Sequence, residues 1–345
     1  MSPSRASAPA ILAAWACLGC SGPETDPSEQ SPGTVTTCES SEIELADGSC
    51  VLPGVPPSEC GTGFEPDGVS GCAPILPPDV CPDGMMAIVG ETLCREVAPC
   101  GDAPWGAIPV EPDTVYVDGS YGGGDSDGSA ERPWVGVQEA IDAATPGAIV
   151  AVAAGTYLED LILQDKSVRL WGRCPTMVQL AGTGAMSQTV LILDGAAQTE
   201  VHRVSVTGPG LGFAVSGSEN VELTELRIHD TGASGLETVD VVGPTGVTLR
   251  GSLIERATQA GIHVAGATLA VEGTAIRDTA VPADDDSGYG IACPDGDQGP
   301  SQLTVRQSVI ERNTGVGINI VASSATIEET VVRDSLPTAD GTFGR

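Results

Sequence analysis

Val247-Thr-Leu-Arg-Gly-Ser-Leu-Ile-Glu-Arg256 is echoed 22 residues later by Leu269-Ala-Val-Glu-Gly-Thr-Ala-Ile-Arg-Asp278. The anchor is an aliphatic residue followed by two mostly charged ones. It recurs as Ile228-His-Asp230, Ile254-Glu-Arg256, Ile276-Arg-Asp278, Ile310-Glu-Arg312 and Val332-Arg-Asp334, with Val206 an earlier member. The spacings are 22, 26, 22, 34 and 22, so the period is 22 with insertions of 4 and 12. Two other short strands accompany each anchor. One set is Val221/Leu223, Val247/Leu249, Leu269/Val271, Leu303/Val305 and Ala325/Ile327; the other follows a glycine at Gly212, Gly235, Gly261, Gly290 and Gly317. Three short strands per fixed period predict a parallel solenoid whose coils bury their inward residues only by stacking. A sandwich explains alternation but not one period shared by three strand sets.

The charges after the anchor follow the same logic. The first column reads His229, Glu255, Arg277, Glu311, Arg333; the second reads Asp230, Arg256, Asp278, Arg312, Asp334. In-register stacking sets opposite signs against each other. Read as solvent-exposed, such pairs contribute only ~0.2–1 kcal/mol each and serve to fix register.

Ahead of the repeat, Val137, Ala140, Ile141 and Ala144 recur at helical spacing, so a short amphipathic helix is expected over 135–144, ended by Pro146-Gly147. Tyr116-Val-Asp118, Pro133-Trp134, Gln138-Glu-Ala-Ile-Asp142, Ala154-Gly-Thr-Tyr157 and Leu170-Trp-Gly172 resemble the entry of right-handed β-helix proteins of the pectin-lyase-like superfamily. The resemblance covers about 113–345. It implies an all-β, right-handed parallel β-helix with the helix capping its first coil. Enzymes of this superfamily are mostly polysaccharide lyases, hydrolases and epimerases, but the motifs specify fold far better than activity.

Residues 1–20 have the form of a secretory signal peptide, with Arg5 before a short apolar run. Cys17-Leu-Gly-Cys20 resembles a lipoprotein lipobox, which implies lipidation at Cys20 and, with no Asp after it, an outer-membrane or cell-surface destination. Ordinary secretion is the alternative. Residues 21–37 read as a flexible linker. Residues 38–100 hold seven of the 11 cysteines, six of them in three similar loops, Cys38 to Cys50, Cys60 to Cys72 and Cys81 to Cys94. Units so small need a staple, and disulfides within each loop are favoured over zinc because no Cys-x-x-Cys occurs among these seven and no His precedes His202. Cys100, Cys174 and Cys293 are left over. These loops are expected to form a stalk, joined through a linker at 101–112 to the β-helix at 113–345. The front end resembles that of surface lipoproteins of Gram-negative bacteria. Leu336 to Gly344 mirrors Val281 to Gly290, where a further strand follows, so a longer natural chain is expected.

The balance of 15 Lys and Arg against 47 Asp and Glu, a net charge of −32, disfavours nucleic acid as a partner. No catalytic residue stands out: there is no Ser-His-Asp set and no phosphate loop at Asp125-Ser-Asp127-Gly128. His202, His229 and His263 occupy strand positions and read as structural. Asp284, Asp285 and Asp286 are weak Ca²⁺ candidates, with Asp295 and Asp297 in a second loop; a solvated acidic loop is the simpler reading. No other cofactor is implied. The expected role is an exported, lipid-anchored surface protein that is structural or binds polysaccharide or another surface protein. A polysaccharide lyase or related enzyme is the alternative.

Overall fold

The computed structural model describes residues 38–39, 42–44, 49–51, 54–69, 71–102, 104–282, 288–338 and 341. The signal-peptide and Cys20 expectations, the 21–37 linker and Asp284, Asp285 and Asp286 lie outside these residues. The chain divides into two units, Met1–Pro53 and Gly54–Arg345. In the first, Cys38 is bonded to Cys50, and Ile43–Glu44 pairs antiparallel with Cys50–Val51.

In the second unit the repeat winds into coils of three strands that stack into three parallel sheets. The anchor strands form a sheet of eight, the strands after each glycine a sheet of seven, and the remaining set a sheet of nine. We refer to them as the anchor sheet, the glycine sheet and the entry sheet. The anchors stack in register, from Val206↔Ile228 through Ile228↔Ile254, Ile254↔Ile276 and Ile276↔Ile310 to Ile310↔Val332. Across the insertions of 4 and 12 the anchor pairs Ile228↔Ile254 and Ile276↔Ile310 are kept.

One continuous aliphatic core fills the shaft, with Leu223, Leu249, Val271 and Val305 from the entry sheet facing Ile254, Ile276 and Ile310. Close packing explains the glycines. A Cβ on Gly261 would lie 2.4 Å from Ile276 Cγ2, and one on Gly290 would lie 2.6 Å from Ile310 Cγ2. Each anchor isoleucine thus occupies the space its partner strand leaves by having no side chain. At the bend before each anchor a hydroxyl ladder satisfies the buried backbone. The N–H of Leu226 donates to Ser252 Oγ at 3.0 Å, and that of Thr274 to Ser308 Oγ at 3.2 Å. These hydroxyls in turn donate two residues back, Ser252 to the Arg250 carbonyl and Ser308 to that of Arg306, both at 2.8 Å.

The helix forms over Val137–Ala143 and closes the first coil. Its first turn is capped by Glu159, which accepts from the Val137 and Gln138 N–H groups at 2.8 and 2.9 Å. Lys166 Nζ donates to the Asp142 and Ala144 carbonyls at its other end. Gln138 mimics a strand: its side-chain oxygen accepts from the Ile162 N–H at 2.7 Å and its amide donates to the Ile162 carbonyl at 3.1 Å. The open edge of the glycine sheet is thereby satisfied at that position.

The expected stalk is corrected by the structure. Cys60 is bonded to Cys72, Cys81 to Cys94, and Cys100 to Cys174, leaving Cys293 free and buried. The second and third loops are small antiparallel hairpins that lie flat on the outer face of the anchor sheet. Val309 and Val331 pack there against Cys81, Ala87 and Val89, and Leu253 and Ala275 against Met86 and Val97. Burying aliphatic side chains of this size contributes roughly 1.5–3 kcal/mol each, which a free stalk would forgo. Residues 101–112, expected as a linker, continue the cover. Ile108 packs on Ile149 and Ala151 of the entry sheet, with Trp105 beside Tyr116.

The first charge column is corrected with it. Glu255, Arg277 and Glu311 are 0, 2 and 2 % exposed, not solvated. Glu255 accepts from Arg227 at 2.7 Å, from Arg277 at 2.6 Å and from the Gly84 N–H at 3.2 Å. Arg277 also donates to the Cys81 and Pro82 carbonyls at 2.7 and 2.9 Å. The column therefore locks the cover to the coils. Burial alone would raise the Glu255 carboxyl, but hydrogen bonds from Arg277 and Arg227 outweigh it and hold it below the ordinary value. Glu311 is held down in the same way by Arg333 and Arg312.

Candidate functional site

Among the described residues the contacts of the cover fall on the anchor and entry sheets, and the outer face of the glycine sheet is left as the floor. Which side chains line it follows from strand alternation: two residues after each glycine the side chain points outward. That rule selects Ala214, Glu237, His263, Ala292 and Asn319, and these stack in one column, Ala214↔Glu237↔His263↔Ala292↔Asn319. A depression of about 220 Å³ opens beside His263, lined by Ser234, Gln259, Tyr289 and Asn319 among others.

Glu237 and His263 sit one coil apart, with His263 Nδ1 3.6 Å from Glu237 Oε2 and both side chains about one-third exposed (33 and 30 %). Nδ1 itself is buried without a hydrogen-bond partner among the described residues. The floor thus combines a carboxylate, an imidazole, two amides and a phenol within a few strand spacings of about 4.8 Å.

The other two histidines are packed elements, as the sequence suggests. His202 stacks on Trp171 with ring centroids 3.9 Å apart and is bonded to Glu200 at 3.0 Å. His229 is bonded to Asp230 at 2.7 Å. Burial lowers the pKa of both below the ordinary imidazole value. His263 stands apart, and sequence reasoning missed it. The signal was present: Gly235-Leu-Glu237 and Gly261-Ile-His263 place an acid and a histidine at the same outward position of successive coils.

The loop holding Asp295 and Asp297 is fixed by Asp240, whose carboxylate accepts from the Gln298 N–H at 2.7 Å. Both of those aspartates are exposed. Among the described residues one group brings metal-ligating atoms together, Cys38, Glu42 and Cys50, and its two sulfurs are bonded to each other. Asp127 is taken up by Arg132 and Ser129, and Asp125 by Tyr121.

Residues 188–335 match the family described as a right handed beta helix region. The fold is a right-handed parallel β-helix. Similar solved β-helix structures include an alginate lyase from Paenibacillus sp. str. FPU-7 (16% identity over 58% of this chain and 72% of that one, TM-score 0.41). A pectin methylesterase from carrot is 13% identical over 66% of this chain and 84% of that one, TM-score 0.39. The catalytic domain of a GH87 α-1,3-glucanase in complex with nigerose is 13% identical over 71% of this chain and 56% of that one, TM-score 0.34. At such identities the likeness concerns the fold, and no site residue is carried over. No curated protein matches the chain.

Proposed function

We propose that this is an exported bacterial surface protein whose β-helix binds carbohydrate on the open face of its glycine sheet. The observation that carries the reading is the half-buried, outward-pointing column of Glu237, His263 and Asn319 beside Tyr289 and Gln259. Carboxylate, amide and imidazole groups match the hydroxyl pattern of a sugar, and a tyrosine ring matches its apolar face. Binding along a row of coils suits an extended chain, since each coil repeats the floor every 4.8 Å or so. Lipidation at Cys20, with residues 21–37 as tether, would hold the protein at the outer membrane. The Cys60 and Cys81 loops then serve as armour on the coils.

Two measurements test this. Retention of the chain on glycan-bearing matrices should be lost in Tyr289→Ala and His263→Ala variants that keep the parent's denaturation midpoint. Unchanged retention in both would sink the assignment of the face. Expression of Cys20→Ala should move the protein from the membrane fraction to the soluble one, and persistence in the membrane would refute the anchor. A rise in ultraviolet absorbance from unsaturated sugar ends on uronic-acid polymers would instead make the protein a lyase.

A further inference from the structure

The cations among the described residues are already engaged in the protein's own fold. Of the 15 Lys and Arg, Arg5 and Arg345 lie outside the described residues, which leaves thirteen. Among these described residues eleven are paired with a carboxylate. The remaining two grip backbone: Lys166 on the helix end, and Arg173 on the Cys100 and Gly101 carbonyls at 3.3 and 2.9 Å. None stands in the outward column of the glycine sheet, where the charged member is Glu237. The background is a net charge of −32.

A polyuronate would bring a carboxylate on each sugar to this floor. Two like charges 4 Å apart at a partly wetted surface repel by about 4 kcal/mol, before desolvation is counted. Recruiting an arginine from elsewhere would strip a partner from a carboxylate, for Arg227 and Arg277 a buried one. The groups that remain free on the floor, Gln259, His263, Tyr289 and Asn319, offer hydrogen bonds and ring contacts.

We infer that the open face takes a saccharide without acidic groups, neutral or amino-bearing, and rejects polyuronates. This rests on the carbohydrate-binding reading above and narrows it. The test is a binding panel of soluble neutral, amino and uronic-acid glycans against the full chain, with and without Ca²⁺, at low and high salt. The best non-acidic glycan should bind at least about tenfold more tightly than polygalacturonate or alginate. A neutral hit should keep its affinity as salt rises, because no ion pair is made. Glu237→Lys should narrow the gap by raising affinity for polygalacturonate. Binding of a polyuronate as the preferred ligand, with or without Ca²⁺, overturns this inference and leaves the carbohydrate reading intact. Binding of none of the panel overturns both.

Discussion

Arg277→Met tests whether the cover is an integral part of the β-helix. Arg277 is 2 % exposed and joins three things: the Glu255 carboxylate on the neighbouring coil and the Cys81 and Pro82 carbonyls of the cover. Methionine keeps most of the aliphatic stem, so the change removes charge and donors with little loss of volume. Glu255, at 0 % exposure, then keeps Arg227, the Gly84 N–H and the flanking Arg256 at 3.3 Å but loses its shortest bond. Removing one partner of a buried ion pair costs about 3–5 kcal/mol. The surviving Arg227 contact places the expected loss near the lower end, about 3 kcal/mol. An exposed pair would cost ~0.2–1 kcal/mol, so the two readings differ enough to separate. Urea denaturation under oxidising conditions measures the loss through the midpoint at unchanged slope. Limited proteolysis of the native state should show faster cutting within residues 81–97. The double variant Glu255→Leu/Arg277→Met should recover part of the stability, because no buried carboxylate is then left short of a partner. A loss of about 1 kcal/mol or less for Arg277→Met, with the cover no more sensitive to protease, would refute the buried-lock argument.

Two further outcomes follow from the coil geometry and the buried acids. Gly261→Ala should cost about 1–3 kcal/mol by overpacking, since its Cβ would meet Ile276 Cγ2 at 2.4 Å, whereas Gly122→Ala, with nothing within 4 Å, should be near neutral; equal melting shifts for the two would contradict the packing account. Stability should be level from neutral pH until the Cys293 thiol and the Tyr157 phenol, raised by burial from 9.0 and 10.0, begin to ionise in the unfolded chain, and it should fall on acidification in two stages. His202 and His229 have pKa values lowered from 6.5, chiefly by burial, so the unfolded chain binds protons that the fold refuses once the pH drops below about that value. Glu255 and Glu311, lowered from 4.5, add a steeper loss as the pH falls through the acid range, because protonation removes stability that is present above it. A midpoint unchanged between neutral pH and pH 4 would show that these groups are not buried as described.

How much of this was legible in the sequence depends on which face of each strand is asked about. The inward face was fully legible, because stacking in register makes period and core the same fact: Ile254, Ile276 and Ile310 recur at the spacing that their contact requires. The outward face of the anchor sheet was misread. The doublets Leu253-Ile254, Ala275-Ile276, Val309-Ile310 and Val331-Val332 are apolar at successive positions, so both faces of these strands need cover. That pattern pointed to a partner layer. The charged residues beside it pointed to water, because Glu and Arg are seldom fully buried unless paired. The pairing that permits burial comes half from the next coil and half from the Cys81 and Pro82 carbonyls, some 195 residues earlier in the chain, a separation no local pattern encodes. The open floor was lost for a related reason. Glu237 and His263 are 26 residues apart only because an insertion of 4 separates their coils, so a search at the base period of 22 passes between them. Counted from Gly235 and Gly261 instead of from residue number, the pair falls into line. The glycines carry that coordinate because the anchor isoleucines fill the space a Cβ would take, and a marker fixed by steric necessity survives the loop insertions that erase the numerical period.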